Sequence, residues 1–278
     1  MTKTISILGC GWLGLPLAER LVRSGYTVKG STTTPEKISV LKSSNIIPYQ
    51  LTCARSVEGG NVADFFKSEM LFVNIPFRRD LPDPFDYVQQ MRAVVAHAAA
   101  AGVRFIVFAS STSVYPALNQ KAKEEDVIVP TEARAKALLE AERLFLDDKR
   151  FKTTIIRFAG LYGPNREIGD FLKHDRVLAK DGEAPVNLIH LEDCVGIAAA
   201  VIEKGLSGEI FNACADAHPL RKDMYVHIAI AMGIKPPVFD NKIGGPYKII
   251  DNEKIKRLLG YRFVHPSPWN WIDRSVKR

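Results

Sequence analysis

The sequence has few cysteines and no grouped metal ligands. Its four cysteines are far apart along 278 residues, no two form a Cys-x-x-Cys pair, and the six histidines include no His-Glu-x-x-His set. A disulfide framework or a zinc site needs such regular spacing. We therefore expect no structural disulfide and no metal site, and isolated cysteines of this kind are typical of a reducing cytoplasm.

Long apolar runs are absent as well. The longest, residues 93–103, contains His97 and is far shorter than the ~20 residues that cross a bilayer. The chain passes from Met1 almost directly into an apolar strand pattern, which leaves no room for a signal peptide. The sequence therefore predicts a cytoplasmic protein with no membrane partner.

The positive charge has no organised pattern. The formal net charge is +7, yet the basic residues form no stripe that alternates with aromatic side chains. A nucleic-acid interface is expected to show a basic stripe, so we expect no nucleic-acid partner. A moderately basic surface instead favours attraction of a small phosphorylated molecule.

A glycine turn near the amino terminus carries the first functional signal. The apolar run 5–8 ends at the motif Gly-Cys-Gly-Trp-Leu-Gly of residues 9–14, and a helical pattern of apolar residues follows. Gly9 would allow the tight turn, Gly11 the close approach of a pyrophosphate, and Gly14 the packing of helix on strand. Glycine turns also serve packing alone, but the strand–turn–helix context favours a dinucleotide at the helix N-terminus.

Hydroxyl groups replace an acid at the end of the second predicted strand. An acid about 20 residues past the glycines would hold the adenosine ribose of NAD. This chain has Gly-Ser-Thr-Thr-Thr at residues 30–34, followed by Lys37. Hydroxyls and a cation suit a 2′-phosphate, so we predict NADP, with NAD as the alternative because hydroxyls also serve a plain ribose. A turn that caps the next helix explains the same residues without a ligand.

Apolar strands alternate with helical patterns up to about residue 159, which predicts an α/β fold with a doubly wound parallel sheet. The two long helices are predicted at about 85–101 and 131–148. A strand predicted for residues 70–77 contains Asn-Ile-Pro at 74–76, at the edge where such sheets bind ligands. The backbone there is a candidate contact for the cofactor ribose, although the proline also explains the end of the strand.

Beyond residue 163 the pattern changes to short mixed elements, including a predicted helix near 169–178. We therefore predict a Rossmann domain at residues 1–163. A smaller α+β substrate lobe at residues 164–278 would be interleaved with it, and a cleft between lobes would hold a small molecule.

Several motifs in their order resemble the extended short-chain dehydrogenase/reductases, the NAD-dependent epimerase/dehydratase family. They are the glycine turn, the segment Phe-Ala-Ser-Ser-Thr-Ser-Val-Tyr at 108–115, Lys136 with Glu140 one turn on, and segments at 157–164, 190–193 and 208–212. The resemblance implies an NAD(P)-binding Rossmann domain and a C-terminal substrate lobe. It also implies nucleotide-sugar substrates for many members, and a homodimer joined through the two long helices.

The active site implied by this resemblance is incomplete. The family uses a Ser or Thr, a Tyr, and a Lys four residues later, which together move a proton as hydride moves. Ser111 and Lys136 take two of these places, and Glu132 stands at the place of the tyrosine. A carboxylate can act as a base, but an ionised one does not readily protonate an alkoxide. Tyr115 and Tyr162 are the remaining phenols near the expected edge.

We therefore predict an NAD(P)-dependent oxidoreductase or epimerase-like enzyme for a small polar, sugar-like or phosphorylated substrate. The alternative is a catalytically impaired NADP(H)-binding sensor or regulatory protein, which the missing tyrosine favours. The predicted catalytic residues are Ser111, Lys136 and Glu132, and no metal ligand is predicted. The predicted cofactor contacts are Gly9, Gly11, Trp12, Leu13, Gly14, Ser31, Thr32, Thr33, Lys37, Asn74, Ile75, Pro76 and Lys136.

Overall fold

The computed structural model describes residues 3–78, 80–169, 172, 181–239 and 245–275. Most of the helix predicted near 169–178 lies outside these residues. The chain forms two compact units, of which the first comprises Met1–Val114, Pro130–Arg157 and Val195–Phe211 and the second Tyr115–Val129, Phe158–Cys194 and Asn212–Arg278. The chain thus passes between the units several times, and the single boundary after residue 163 stays a prediction.

Strands and helices alternate along the described chain. The strands are β1 (Thr4–Leu8), β2 (Thr27–Thr32), β3 (Ile47–Cys53), β4 (Val57–Gly59), β5 (Met70–Val73), β6 (Phe105–Ser111), β7 (Gln120–Ala122), β8 (Lys152–Phe158), β9 (Gly160–Tyr162), β10 (Leu188–His190), β11 (Ile210–Ala213) and β12 (Lys248–Ile250). The α-helices are α1 (Gly14–Arg23), α2 (Lys37–Ser43), α3 (Val62–Phe66), α4 (Asp86–Ala100), α5 (Ala133–Asp147), α6 (Leu191–Lys204), α7 (Arg221–Ala231) and α8 (Trp269–Ser275). Among the described residues, no helix has the length and apolar character that a membrane span requires.

Eight strands form one sheet in the order β11-β8-β6-β5-β1-β2-β3-β4. Strand β1 pairs in parallel with β2 on one side and with β5 on the other, and β5 pairs in parallel with β6. The predicted α/β Rossmann fold with a parallel sheet is therefore confirmed. The strand order reverses at β1, and open sheets of this type bind ligands at the carboxyl end of the strands beside such a reversal.

Two strands of the sheet show where the sequence-based prediction of strands succeeded and where it failed. All four residues of β5 are buried, as expected of a strand covered on both faces. This strand ends at Val73, earlier than predicted, and Pro76 follows, which lacks a backbone N–H and disfavours a continued ladder. Strand β4 pairs antiparallel with β3 at the sheet edge and was missed, because three residues are too few to show a period.

The second unit contains two small parallel sheets, β9 with β10 and β7 with β12. Its apolar core is formed by Tyr162, Ile168, Leu188, Met224, Ile228 and Ile272. The fully buried Asp193 accepts hydrogen bonds from the backbone N–H groups of Val264 and His265 and from the hydroxyl of Tyr261. A buried carboxylate needs such donors, and these bonds hold the 261–265 segment against α6.

A buried ion pair joins α5 to two strands of the first unit. The guanidinium of Arg157 on β8 donates to Glu142 on α5, with Nη2–Oε2 at 2.7 Å and Nε–Oε1 at 3.1 Å. Ser110 at the end of β6 donates its hydroxyl to the same carboxylate. The two charged side chains are only 4% and 2% exposed, and the bidentate geometry is what a buried pair requires. Glu142 thus fixes α5 beside the residue that precedes Ser111.

We expect Arg157→Met to lower the free energy of unfolding of the first unit by about 3–5 kcal/mol, because it leaves a buried carboxylate without its counter-ion. The double variant Glu142→Leu/Arg157→Met removes both charges and should recover most of this loss. Urea denaturation of the wild type and both variants measures the difference. If the single and double variants are equally unstable, the loss of unfolding free energy comes from altered packing and not from the unpaired charge.

Candidate cofactor and active site

The glycine turn lies between β1 and α1, at the strand where the sheet order reverses. Gly9 has φ +105°, a conformation that L side chains rarely adopt. A Cβ on Gly14 would lie 2.1 Å from the carbonyl oxygen of Gly9, whereas a Cβ on Gly11 would meet no heavy atom within 4 Å. The first and third glycines are thus required by the packing of the protein itself, and the space beside Gly11 fits a ligand diphosphate.

The start of α1 adds an electrostatic preference for an anion. Its N-cap residue is Leu13, which offers no side-chain acceptor, and its first turn has no acidic residue. The N–H groups and the positive dipole end of a helix attract anions at such a terminus. The turn and the helix therefore fit the diphosphate of a dinucleotide together.

Two predicted cofactor contacts support the turn from either side. The Ser31 hydroxyl accepts the backbone N–H of Gly9 at 2.9 Å, and the Ser31 carbonyl accepts that of Cys10 at 2.7 Å. The Asn74 side-chain amide donates to the carbonyl of Gly9 at 3.0 Å. Ser31 is 2% exposed, so its hydroxyl serves the turn itself. These contacts set the path of the loop that the sequence predicted as the binding site.

The residues predicted for a 2′-phosphate differ in exposure. Thr32 is buried, and its hydroxyl accepts the backbone N–H of Thr34 at 3.1 Å. Thr33 is exposed, and so is Lys37, the first residue of α2. Thr33 and Lys37 therefore have the side chains that are open to a ligand.

The loop after β5 is fastened to two helices of the first unit. The Tyr87 hydroxyl on α4 donates to the carbonyl of Ile75 at 3.0 Å, and the Tyr87 ring stacks on that of Phe77 at a centroid distance of 4.6 Å. Arg134 in the first turn of α5 donates to the carbonyls of Phe77 and Arg78 at 3.2 and 3.0 Å. Sequence analysis missed Tyr87 and Arg134, because no local pattern links residues so far apart in the chain.

The predicted catalytic residues lie on two elements of the first unit. Ser111 ends β6, and its hydroxyl oxygen accepts the N–H of Ser113 at 3.1 Å, which leaves its hydrogen able to donate. Glu132 is the N-cap residue of α5, Lys136 follows one turn later, and both are exposed. Within the described part of the chain, no hydrogen bond or ion pair joins the three side chains. Their catalytic roles stay predictions.

Glu140, the residue one turn after Lys136 that supports its alignment with the family lysine, lies away from the sheet. Glu140 faces an open groove on α4 and α5, whereas the carboxylate that reaches the end of β6 belongs to Glu142. At 100° per residue, Leu138 and Arg134 lie about 40° and 80° around the helix to one side of Glu142, and Lys136 lies about 120° to the other side. The groove is lined by Arg92, Val95, Ala96, Glu140, Arg143, Leu144, Asp147, Asp148 and Arg150.

The two phenols considered as substitutes for the missing tyrosine are buried in the second unit. The Tyr115 hydroxyl donates to the side-chain oxygen of the buried Asn212 at 2.9 Å, which commits its hydrogen. The Tyr162 hydroxyl has no hydrogen-bond partner among the described residues, and burial raises the pKa of Tyr162. A buried phenol with a raised pKa is a weak acid, so these contacts favour packing roles.

A group of His190, Glu192 and His265 in the second unit has its ligand atoms within 4.8 Å of one another. The backbone N–H of Glu192 donates to Nδ1 of His190 at 3.2 Å, and burial lowers the pKa of His190 to about 4. The neutral ring therefore carries its proton on Nε2. The bond from Glu192 occupies the Nδ1 lone pair of His190, and the absence of a metal site stays a prediction.

Known proteins resemble this chain in sequence along most of its length. The sequence profile of the NAD dependent epimerase/dehydratase family matches residues 5–214. Protein YeeZ of Escherichia coli strain K12 is 35% identical over 269 residues, which cover 96% of this chain and 97% of that protein.

Two solved structures show a similar fold. UDP-glucuronic acid 4-epimerase from Bacillus cereus, in complex with UDP-glucuronic acid and NAD, superposes with a TM-score of 0.77 at 18% identity over 99% of this chain and 98% of that one. A short-chain dehydrogenase/reductase superfamily protein from Agrobacterium tumefaciens with bound NAD gives a TM-score of 0.74 at 19% identity over 99% and 96%. The profile match and the 35% identical relative show that this chain belongs to the NAD-dependent epimerase/dehydratase family.

Proposed function

We propose that this protein binds a nicotinamide dinucleotide at the glycine turn and acts as an NAD(P)-dependent oxidoreductase or epimerase-like enzyme on a small polar, sugar-like substrate. The observation that carries the proposal is the open space at Gly11 beside the uncapped start of α1. The family and its nicotinamide-binding neighbours support the cofactor class. The bound UDP-glucuronic acid of one neighbour supports a substrate with a sugar and an anionic group.

The groups of the chain have distinct tasks in this proposal. The N–H groups at the start of α1 hold the diphosphate, and Lys136 holds a ribose hydroxyl with its ammonium group. Ser111 donates its hydroxyl hydrogen to a substrate oxygen, and the carboxylate of Glu132 accepts a proton. The nicotinamide, when bound, supplies hydride transfer. With a carboxylate at the place of the tyrosine, proton removal is better supported than proton donation.

We propose NADP as the preferred cofactor and a second copy of this chain as the partner. Exposed Thr33 just after β2 and exposed Lys37 at the start of α2 support the first point, and no acid stands in the Ser-Thr-Thr-Thr segment at residues 31–34. The groove on α4 and α5 supports the second, because it carries both arginines and acids and so matches its own copy across a two-fold axis. We propose a cytoplasmic location, which the four unpaired cysteines support.

Gly11→Ala and Gly14→Ala form a matched pair that tests the cofactor site. We expect Gly11→Ala to change the free energy of unfolding by less than about 0.5 kcal/mol and to weaken NADPH binding at least about tenfold, because its methyl group enters only the open space. Gly14→Ala should destabilise the protein by about 1–3 kcal/mol, since its methyl group meets the backbone. Urea denaturation and nicotinamide fluorescence titration measure these effects. If Gly11→Ala binds NADPH as tightly as the wild type, the cofactor does not bind at this turn.

Lys37→Ala tests the phosphate preference. We expect the Kd of NADPH to rise about three- to tenfold and that of NADH to stay the same, because only the first carries the 2′-phosphate that an ammonium group would hold. Lys42→Ala, an exposed lysine at the other end of α2, is the control. Equal affinity of the wild type for NADPH and NADH would contradict the NADP assignment.

Turnover on a panel of keto and nucleotide-sugar substrates tests the chemistry. We expect Ser111→Ala and Glu132→Gln each to lower kcat/KM by about a hundredfold, the usual scale for loss of an acid–base group. Lys136→Ala should lower it about ten- to a hundredfold, through loss of a charged hydrogen bond to the ribose. Rates unchanged in all three variants would remove this catalytic assignment. NADPH binding without turnover, together with a partner that binds only in its presence, would instead support the sensor.

A further inference from the structure

We infer that Arg134 is a positioning residue of the cofactor site, which fixes the 74–78 loop after β5 for the nicotinamide half of the dinucleotide. The inference rests on the proposed function, because it assigns a role within the same site. It adds a residue to the site, since Arg134 is neither of the two residues, Glu132 and Lys136, that the family resemblance assigns there.

The topology places the nicotinamide half near this loop. In dinucleotide sites of this fold the adenosine ribose lies at the end of β2, on one side of the diphosphate. Strand β5 pairs with β1 on the side opposite β2. The other half of the dinucleotide therefore extends over the end of β5 and meets the loop that begins at Asn74.

The loop is held at separate points, and Arg134 holds its far end. Asn74 bonds to the glycine turn, and the carbonyl of Ile75 accepts a bond from α4. Beyond them, the Arg134 guanidinium bonds to two successive carbonyls and lies over the Phe77 ring, 4.2 Å from its centroid. A planar guanidinium that donates to two carbonyls and also stacks on an aromatic ring holds the loop in one geometry. The flexible ammonium group of a lysine would not reproduce that geometry.

The position of Arg134 on α5 agrees with this role. It lies two turns before Glu142, which is anchored to the end of β6, with the buried Leu138 between them. Helix α5 thus reaches the loop after β5 through Arg134 and the strand that carries Ser111 through Glu142. Arg134 therefore acts through the geometry of its hydrogen bonds and ring contact.

The experiment compares wild type, Arg134→Ala, Arg134→Lys and the control Arg104→Ala, which removes an exposed arginine paired with Glu69 at the opposite end of β6. Calorimetry gives the Kd of NADPH and of 2′,5′-ADP, which lacks the nicotinamide half. We expect Arg134→Ala to weaken NADPH about tenfold and 2′,5′-ADP less than about twofold, with Arg134→Lys in between. Trypsin should cleave after Arg78 several-fold faster in Arg134→Ala than in the wild type or the control.

The outcomes separate this inference from the proposed function. NADPH affinity unchanged in Arg134→Ala, or equal weakening of both ligands with a lower Tm, overturns the positioning role and leaves the proposed function standing. Failure of the wild type to bind any nicotinamide dinucleotide overturns both. Full recovery of NADPH affinity by Arg134→Lys also overturns the inference, because charge alone would then suffice.

Discussion

The site depends on the close approach of three backbone segments at the end of β1. Gly9, Gly14 and Asn74 meet where an added Cβ on either glycine would lie within 2.6 Å of a carbonyl oxygen. This approach brings α1 directly onto the turn and ties the end of β5 to the same point. Because the sheet order reverses there, the crevice opens where the first helix begins. Packing thus requires Gly9 and Gly14, whereas the proposed binding uses Gly11 of the same motif.

Charge is arranged differently in the interior and at the sheet edge. Within the first unit, Glu142 and Arg157 are almost fully buried and satisfy each other, so they fix the geometry of α5 and offer no charge to a ligand. At the edge, Thr33, Lys37, Glu132 and Lys136 are exposed. A ligand would supply partners for these groups, while the buried pair keeps the supporting strands in place.

The departure from the family pattern concerns chemistry and leaves the fold intact. Glu132, which the resemblance aligns with the tyrosine, is the N-cap residue of α5, where a carboxylate is tolerated because a helix N-terminus favours negative charge. In the proposed alignment, a carboxylate in place of the phenol removes a proton donor without disturbing the helix. The buried phenols of Tyr115 and Tyr162 do not restore it, since one is hydrogen-bonded internally and the other lies in an apolar core.

The sequence by itself determined the Rossmann sheet, the glycine turn and the family, because apolar periodicity and glycine spacing involve residues that are close together in the chain. It also identified Ser111, Thr33 and Lys37 as candidates. Only the tertiary structure decided that Ser31 supports the turn, that Glu142 carries the buried ion pair, and that Arg134 holds the loop after β5. These roles arise from contacts between residues 15 to 57 positions apart, which leave no periodic trace in the chain.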